Sequence, residues 1–132
     1  MNTEKGSCHC GGVQWEFSLP IKTVVKCHCG NCRKLQGADY STWVVVPVEQ
    51  YSITQGKEKI TKYQANEKSS KNFCSNCGAA VFLVNGKHFD GNVVLALGAL
   101  DVYSKKLAPQ VQVYTSNKAE WVKLHEDEPV LN

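Results

Sequence analysis

Apolar and polar positions alternate over short stretches along most of this chain, the period-2 signature of strands with one buried face. After Gly11-Gly12, the residues Val13, Trp15 and Phe17 fall on one face of an extended stretch. Tyr40–Val46 (YSTWVVV) is rich in β-branched and aromatic residues and stops at Pro47. Further strands are predicted at Tyr51–Thr54, Lys59–Gln64, Val81–Val84, Val93–Leu97 and Val111–Thr115, with Gly56, Asn85-Gly86 and Asp90-Gly91 as turn signals. Helix is scarce. Asn31–Gln36 can hold a turn or two, and a second short helix is expected over Asn117–Val122 with Asn117 as its N-cap. The polar run Asn66–Asn72 (NEKSSKN) reads as a solvated, mobile loop. With no repeat, low-complexity tract or linker, residues 1–132 are expected to form one mainly β, antiparallel domain with long loops.

Composition adds limits rather than a function. A chain of 132 residues, 42% hydrophobic and 20% charged, belongs with soluble globular proteins and not with disordered or fibrous ones. A chain of this length buries roughly two thirds of its unfolded surface and need not depend on staples alone. No apolar run approaches the ~20 residues of a membrane span, and Met1–Cys8 has no apolar signal-peptide core, so the expected setting is cytoplasmic, with no membrane partner. The formal charge of +3 points weakly to an anionic partner, but it counts every cysteine as a neutral thiol. Seven thiolates on two zinc ions would bring it to zero. Lys57, Lys59, Lys62, Lys68 and Lys71 are interrupted by Glu58 and Glu67, and no basic stripe is interleaved with aromatics. A nucleic-acid partner is therefore not expected.

The chemistry lies in seven cysteines, which in a reducing compartment are poor candidates for disulfides and, being odd in number, cannot all pair within the chain. They form three clusters: Cys8-x-Cys10, Cys27-x-Cys29-x-x-Cys32 and Cys74-x-x-Cys77-Gly78. Residues two apart in a strand share a face, and modest convergence brings their sulfurs to the roughly 3.8 Å separation of two thiolates on one tetrahedral zinc. The C-x-x-C-G turn is a metal knuckle in which glycine can take a positive φ and turn backbone N–H groups toward the thiolates. Structural zinc takes four protein ligands, whereas catalytic zinc keeps three and an open position. Cys8, Cys10, Cys74 and Cys77 would tie two distant segments through one structural metal. Cys27, Cys29 and Cys32, within six residues, would hold a second metal alone. Spacing does not force this partition, since a histidine can complete a second closed site. His9 and His28, however, each lie between two cysteines and in a strand would point away from the sulfurs. His88 and His125 stand alone in polar surroundings and are expected to be exposed. An iron–sulfur cluster on Cys27–Cys32 and a set of free thiols are the alternatives.

Gly6-Ser7-Cys8-His9-Cys10-Gly11-Gly12-Val13, Cys27-His28-Cys29-Gly30-Asn31-Cys32-Arg33-Lys34 and Phe73-Cys74-Ser75-Asn76-Cys77-Gly78, in this order, resemble the glutathione-dependent formaldehyde-activating enzyme family, which includes centromere protein V. Leu97-Gly98-Ala99-Leu100-Asp101 is similar to the family's G-x-L-D segment, and Lys118-Ala119-Glu120-Trp121 to its K-x-x-W. The resemblance runs from about Gly6 to Val130. It implies a fold of stacked antiparallel sheets, an Mss4-like β-tent, and a carbon–sulfur lyase that condenses formaldehyde with glutathione to S-hydroxymethylglutathione. It also implies structural zinc on Cys8, Cys10, Cys74 and Cys77 and catalytic zinc on Cys27, Cys29 and Cys32. Two positions depart from the pattern: Lys71 stands where many members carry arginine, and Gln112 where many carry histidine.

A three-thiolate zinc with an open position can polarise an aldehyde or bind a thiol as thiolate. Glutathione's two carboxylates call for cations, and Arg33 and Lys34, directly after the triad, are the candidates, Arg33 being suited to a bidentate contact. Asp39, Tyr40 and Ser41 are further pocket candidates, while Trp15, Trp43 and Trp121 are expected in the core or packed on a sheet. The alternative function is a non-catalytic zinc module that binds a protein or nucleic acid.

Overall fold

The computed structural model describes residues 2–101 and 105–131. Its strands are β1 (Thr3–Ser7), β2 (Gln14–Ser18), β3 (Thr23–Cys27), β4 (Ser41–Pro47), β5 (Tyr51–Gln55), β6 (Ile60–Asn66), β7 (Ser69–Cys74), β8 (Ala80–Asn85), β9 (Asn92–Ala96), β10 (Val111–Val113) and β11 (Val130–Leu131). The α-helix among the described residues, α1 (Gly30–Gln36), joins β3 to β4. A small sheet has the order β1-β2-β5, and a large one the order β11-β10-β3-β4-β9-β8-β7-β6. The mainly β, antiparallel architecture expected from the sequence is the one observed, with one qualification. Strand β10 pairs parallel with both β3 and β11, so the edge of the large sheet is mixed.

The central strands of the large sheet bury both faces, which is why Thr42–Val46 reads as a nearly continuous apolar run. One face presents Val24, Val44, Val46, Val93 and Leu95 to Val13, Trp15 and Phe17, filling the space toward the small sheet. The other presents Val25, Cys27, Trp43, Val94 and Leu83, with Leu35 of α1 packed onto them. Trp15 and Phe17 are each 1% exposed, and side chains of this size contribute roughly 1.5–3 kcal/mol on full burial. Gly6 is required beneath the Trp15 indole, because a Cβ there would lie 2.5 Å from Trp15 Nε1.

The polar run 66–72 is not a mobile loop. Only its first residues turn the β6–β7 hairpin; the rest is β7, an interior strand of the large sheet bonded to β6 and β8. Its polar side chains hid it: Ser70 and Asn72 are buried on the inward positions and bond to each other, Asn72 Nδ2 donating to Ser70 Oγ at 3.2 Å. The second helix does not form. A single 3-10 turn covers Thr115–Asn117 and the chain then runs through irregular turns, so Asn117 ends a turn instead of capping a helix. Strands β1, β3, β7 and β11 lie outside the predicted segments, and β4 carries on through Pro47. No helix among the described residues is long and apolar enough to cross a membrane.

Candidate functional site

Two cysteine clusters form, one from local and one from distant sequence. Cys8 follows β1 and Cys10 sits in the turn to β2, while Cys74 ends β7 and Cys77 lies in the turn to β8. Their four sulfurs lie within 4.8 Å of one another. The Cys8–Cys10 separation is 3.6 Å and the Cys10–Cys74 separation 3.8 Å, matching the roughly 3.8 Å edge of a tetrahedral thiolate–zinc site. This cluster fastens the small sheet to the far end of the large one. Backbone geometry serves it on both sides. Val13 N–H donates to Cys8 Sγ at 3.2 Å, Gly78 takes φ +79°, and the Gly78 N–H closes the knuckle on Cys74 O at 2.8 Å. Hydrogen bonds from the Asn76 side chain and the Gly12 N–H lower the Cys10 thiol to about 6, and the Ala79 N–H lowers Cys77. Burial pushes Cys8 upward. The donor set and its spacing fit a metal ion held by four cysteines.

The second cluster is built at the β3–α1 junction. Cys27 is the last residue of β3, Cys29 is the N-cap of α1 and Cys32 lies in its first turn. Cys29 Sγ accepts the Cys32 N–H at 3.3 Å, and Ser41 Oγ, opposite Cys27 in the β3–β4 register, donates to Cys32 O at 3.0 Å. The three sulfurs lie within 4.8 Å of one another, with Cys27 and Cys32 3.2 Å apart. That hydrogen bond holds Cys27 below the usual thiol range and, together with burial, drives Cys32 far above it. Burial also raises Cys29. Three convergent sulfurs can hold a metal ion while leaving a coordination position to another ligand. No histidine joins either cluster among the described residues. His9, His88 and His125 are exposed, whereas His28 is fully buried, its Nε2 3.0 Å from Gln112 Oε1.

Two neighbouring openings, which share Asn31, Lys34 and Tyr114 in their walls, reach the three-cysteine cluster. A polar cleft of about 900 Å³ exposes Cys29 and is lined by Arg33, Lys34, Asp39, Asn117 and Trp121. Arg33 is half-buried and its Nε has no hydrogen-bond partner. Trp121, 70% exposed, donates its indole N–H to Asp39 Oδ2 at 2.9 Å and so stands at the cleft wall instead of in the core; Trp15 and Trp43 are buried as expected. Of the other pocket candidates, Tyr40 packs against His28 with the rings tilted by 38° and their centroids 5.2 Å apart, and Ser41 is buried beneath the cluster. The second opening is a larger groove that reaches Cys27 and Cys32. Tyr114, at the ridge between the two openings, takes φ +55°, a left-handed conformation that non-glycine residues seldom adopt outside constrained sites. Sequence reasoning gave Tyr114 no role, read Asn117 only as a helix N-cap, and singled out Gln112 only as a departure from the family pattern, not as a partner of His28.

Lys71, although near the four-cysteine knuckle in sequence, reaches across to donate to Leu35 O at the end of α1. It anchors the helix that carries Cys32.

Comparisons with known proteins agree with this arrangement. A family model described as glutathione-dependent formaldehyde-activating enzyme matches residues 3–117. A curated protein from Phaeosphaeria nodorum, provisionally named a glutathione-dependent formaldehyde-activating enzyme, is 32% identical over 88 residues, covering 64% of this chain and 46% of its own. One from Talaromyces marneffei with the same name is 30% identical over 77 residues, covering 57% and 41%. The chain thus spans under half the length of these curated relatives. A crystal structure of a Rhodobacter sphaeroides protein shares the fold, with a TM-score of 0.64 at 23% identity over 77% of this chain and 92% of that one. The family match extends over most of the residues described here, both cysteine clusters included, and the chain belongs to the glutathione-dependent formaldehyde-activating enzyme family.

Proposed function

We propose that this protein is a zinc-dependent carbon–sulfur lyase that joins formaldehyde, or a related aldehyde, to glutathione as S-hydroxymethylglutathione. One observation carries the reading: the open three-cysteine cluster lies where two openings meet, while none of the four other cysteines lines either opening. Cys8, Cys10, Cys74 and Cys77 then hold a structural zinc, and Cys27, Cys29 and Cys32 hold the catalytic one. Bound there with an open position, zinc would supply Lewis-acid polarisation of the aldehyde or stabilisation of a thiolate.

The chain's own groups do the rest. Arg33 and Lys34 bind the glutathione carboxylates in the polar cleft, Arg33 through a bidentate contact. Asp39, oriented by the Trp121 indole, meets the ammonium group. Ser41 and the Cys32 N–H hold the cysteine-bearing turn in place. In this reading residues 1–132 make up one zinc-binding domain, and its thiol-rich sites suit a reducing, cytoplasmic setting.

The test is elemental analysis together with formaldehyde consumption on the purified protein. Two zinc ions per chain, and consumption that requires both glutathione and metal, are expected. A fully metallated protein inactive with every thiol–aldehyde pair would remove the enzyme reading and leave a zinc-binding interaction module.

A further inference from the structure

The larger groove has a volume of about 1290 Å³, at or above the range of roughly 300–1,000 Å³ typical of small-molecule sites. Formaldehyde contributes a single carbon and would leave such a groove nearly empty. Its floor is apolar: Val25, Trp43, Leu83 and Val94 pack around Cys27, with Leu35 and Phe89 against them. Glutathione is polar and charged along its length and offers this floor nothing to bury. The neighbouring polar cleft already carries Arg33, which does not line the groove.

The rim of the groove has a charge preference. Lys34, Lys68 and Lys87 line it against a single acidic residue, Glu67. Ser69 faces Asn85 in the β7–β8 register, and Gly86 N–H donates to Lys68 O at 2.9 Å, so Lys68 and Lys87 flank the same end of the sheet. All three lysines are exposed, and the ion pair found among the described residues, Lys26–Glu128, involves none of them.

From the apolar floor, the sulfurs that open onto it and the lysine rim, we propose that the larger groove binds the second substrate of the condensation, an aldehyde with an aromatic or branched apolar body and an anionic end. This rests on the proposed thiol–aldehyde reaction and extends its substrate class. The body lies on Trp43, Leu83 and Val94, the anion meets Lys68 and Lys87, and the carbonyl points toward Cys27 and Cys32. Glutathione approaches from the adjacent polar cleft. Its sulfur forms the new C–S bond at the carbonyl carbon as the carbonyl π bond opens. The thiol proton ends on the former carbonyl oxygen, giving a hemithioacetal with no change in oxidation level.

The experiment uses the metal-replete protein and two readouts. Binding of 4-(hydroxymethyl)benzoate, an unreactive mimic, is measured by calorimetry without thiol, beside benzyl alcohol. Initial rates with glutathione are compared for 4-carboxybenzaldehyde, benzaldehyde and formaldehyde. Saturable binding of the mimic is expected, at least tenfold tighter than that of benzyl alcohol, and weakened at least tenfold in Lys68→Glu/Lys87→Glu. The ratio of kcat/KM for 4-carboxybenzaldehyde to that for benzaldehyde should fall at least tenfold in the same variant. No saturable binding, or equal binding in the double variant, overturns the proposal even if formaldehyde is consumed normally. Lysine-dependent binding with no reaction from any aldehyde supports the groove as a site for apolar anions and removes the proposed reaction instead.

Discussion

Gln112 Oε1 lies 3.0 Å from His28 Nε2, and both side chains are almost wholly buried. A carbonyl oxygen only accepts, so His28 Nε2 carries the proton and donates it. The contact ties β10 to the residue between Cys27 and Cys29, beside a backbone bond from His28 N–H to Val113 O at 3.1 Å. It is incompletely satisfied, because His28 Nδ1 and Gln112 Nε2 are buried without partners. Gln112→Met keeps the volume, orphans the His28 N–H and removes the unpaired amide. The net loss expected is about 1 kcal/mol, or a few degrees in melting temperature. The three-cysteine cluster of the variant should also surrender metal to a chelator faster than wild type.

The two clusters should respond differently to loss of a ligand. Cys74→Ser breaks a tie between segments 64 residues apart and should abolish cooperative melting or lower its midpoint sharply. Cys29→Ser removes a ligand from a local turn. It should keep the fold, lose about one metal ion per chain and lose thiol–aldehyde chemistry. Melting curves and elemental analysis on the two variants check this. An unchanged melt in Cys74→Ser would rule out the structural role.

Arg33→Ala should keep both metals while raising KM for glutathione by about 10- to 100-fold, the effect of removing one charge-assisted hydrogen-bonding partner worth roughly 1.5–3 kcal/mol. Steady-state kinetics with varied glutathione separates this from a metal defect, which would lower kcat.

Tyr51 carries a buried hydroxyl with no hydrogen-bond partner, its ring 5.8 Å from that of Phe82. Burial pushes its ionisation upward in the folded protein. In the unfolded chain tyrosine ionises near pH 10, at roughly its model value, so its contribution to stability is present below that pH and is lost as pH rises above it. Tyr51→Phe should be neutral or stabilising by up to about 1 kcal/mol at pH 7. It should also flatten the loss of stability above pH 10, as read by denaturant midpoints across pH.

Much of this protein was legible in order of sequence, because the relevant signals are local. The C-x-C, C-x-C-x-x-C and C-x-x-C-G spacings mark metal-ligand turns whatever surrounds them, and the alternation around Val13–Phe17 and the apolar run of β4 mark strands. The helix after Cys29 was readable from its own residues in the same way. What depended on long-range contacts was not readable. Strand β7 has a polar sequence and exists because β6 and β8 pair with its backbone on both edges and Ser70 satisfies Asn72 inside. The expected helix after Asn117 yields to irregular turns that place Trp121 against Asp39 and complete the polar cleft. The parallel pairing of β10 alone brings Gln112 to His28 and Tyr114 to the ridge between the openings. Ligand spacing is a property of a few adjacent residues, so sequence determined it. A groove is the space left between elements far apart in the chain, and only their packing decided where it lies.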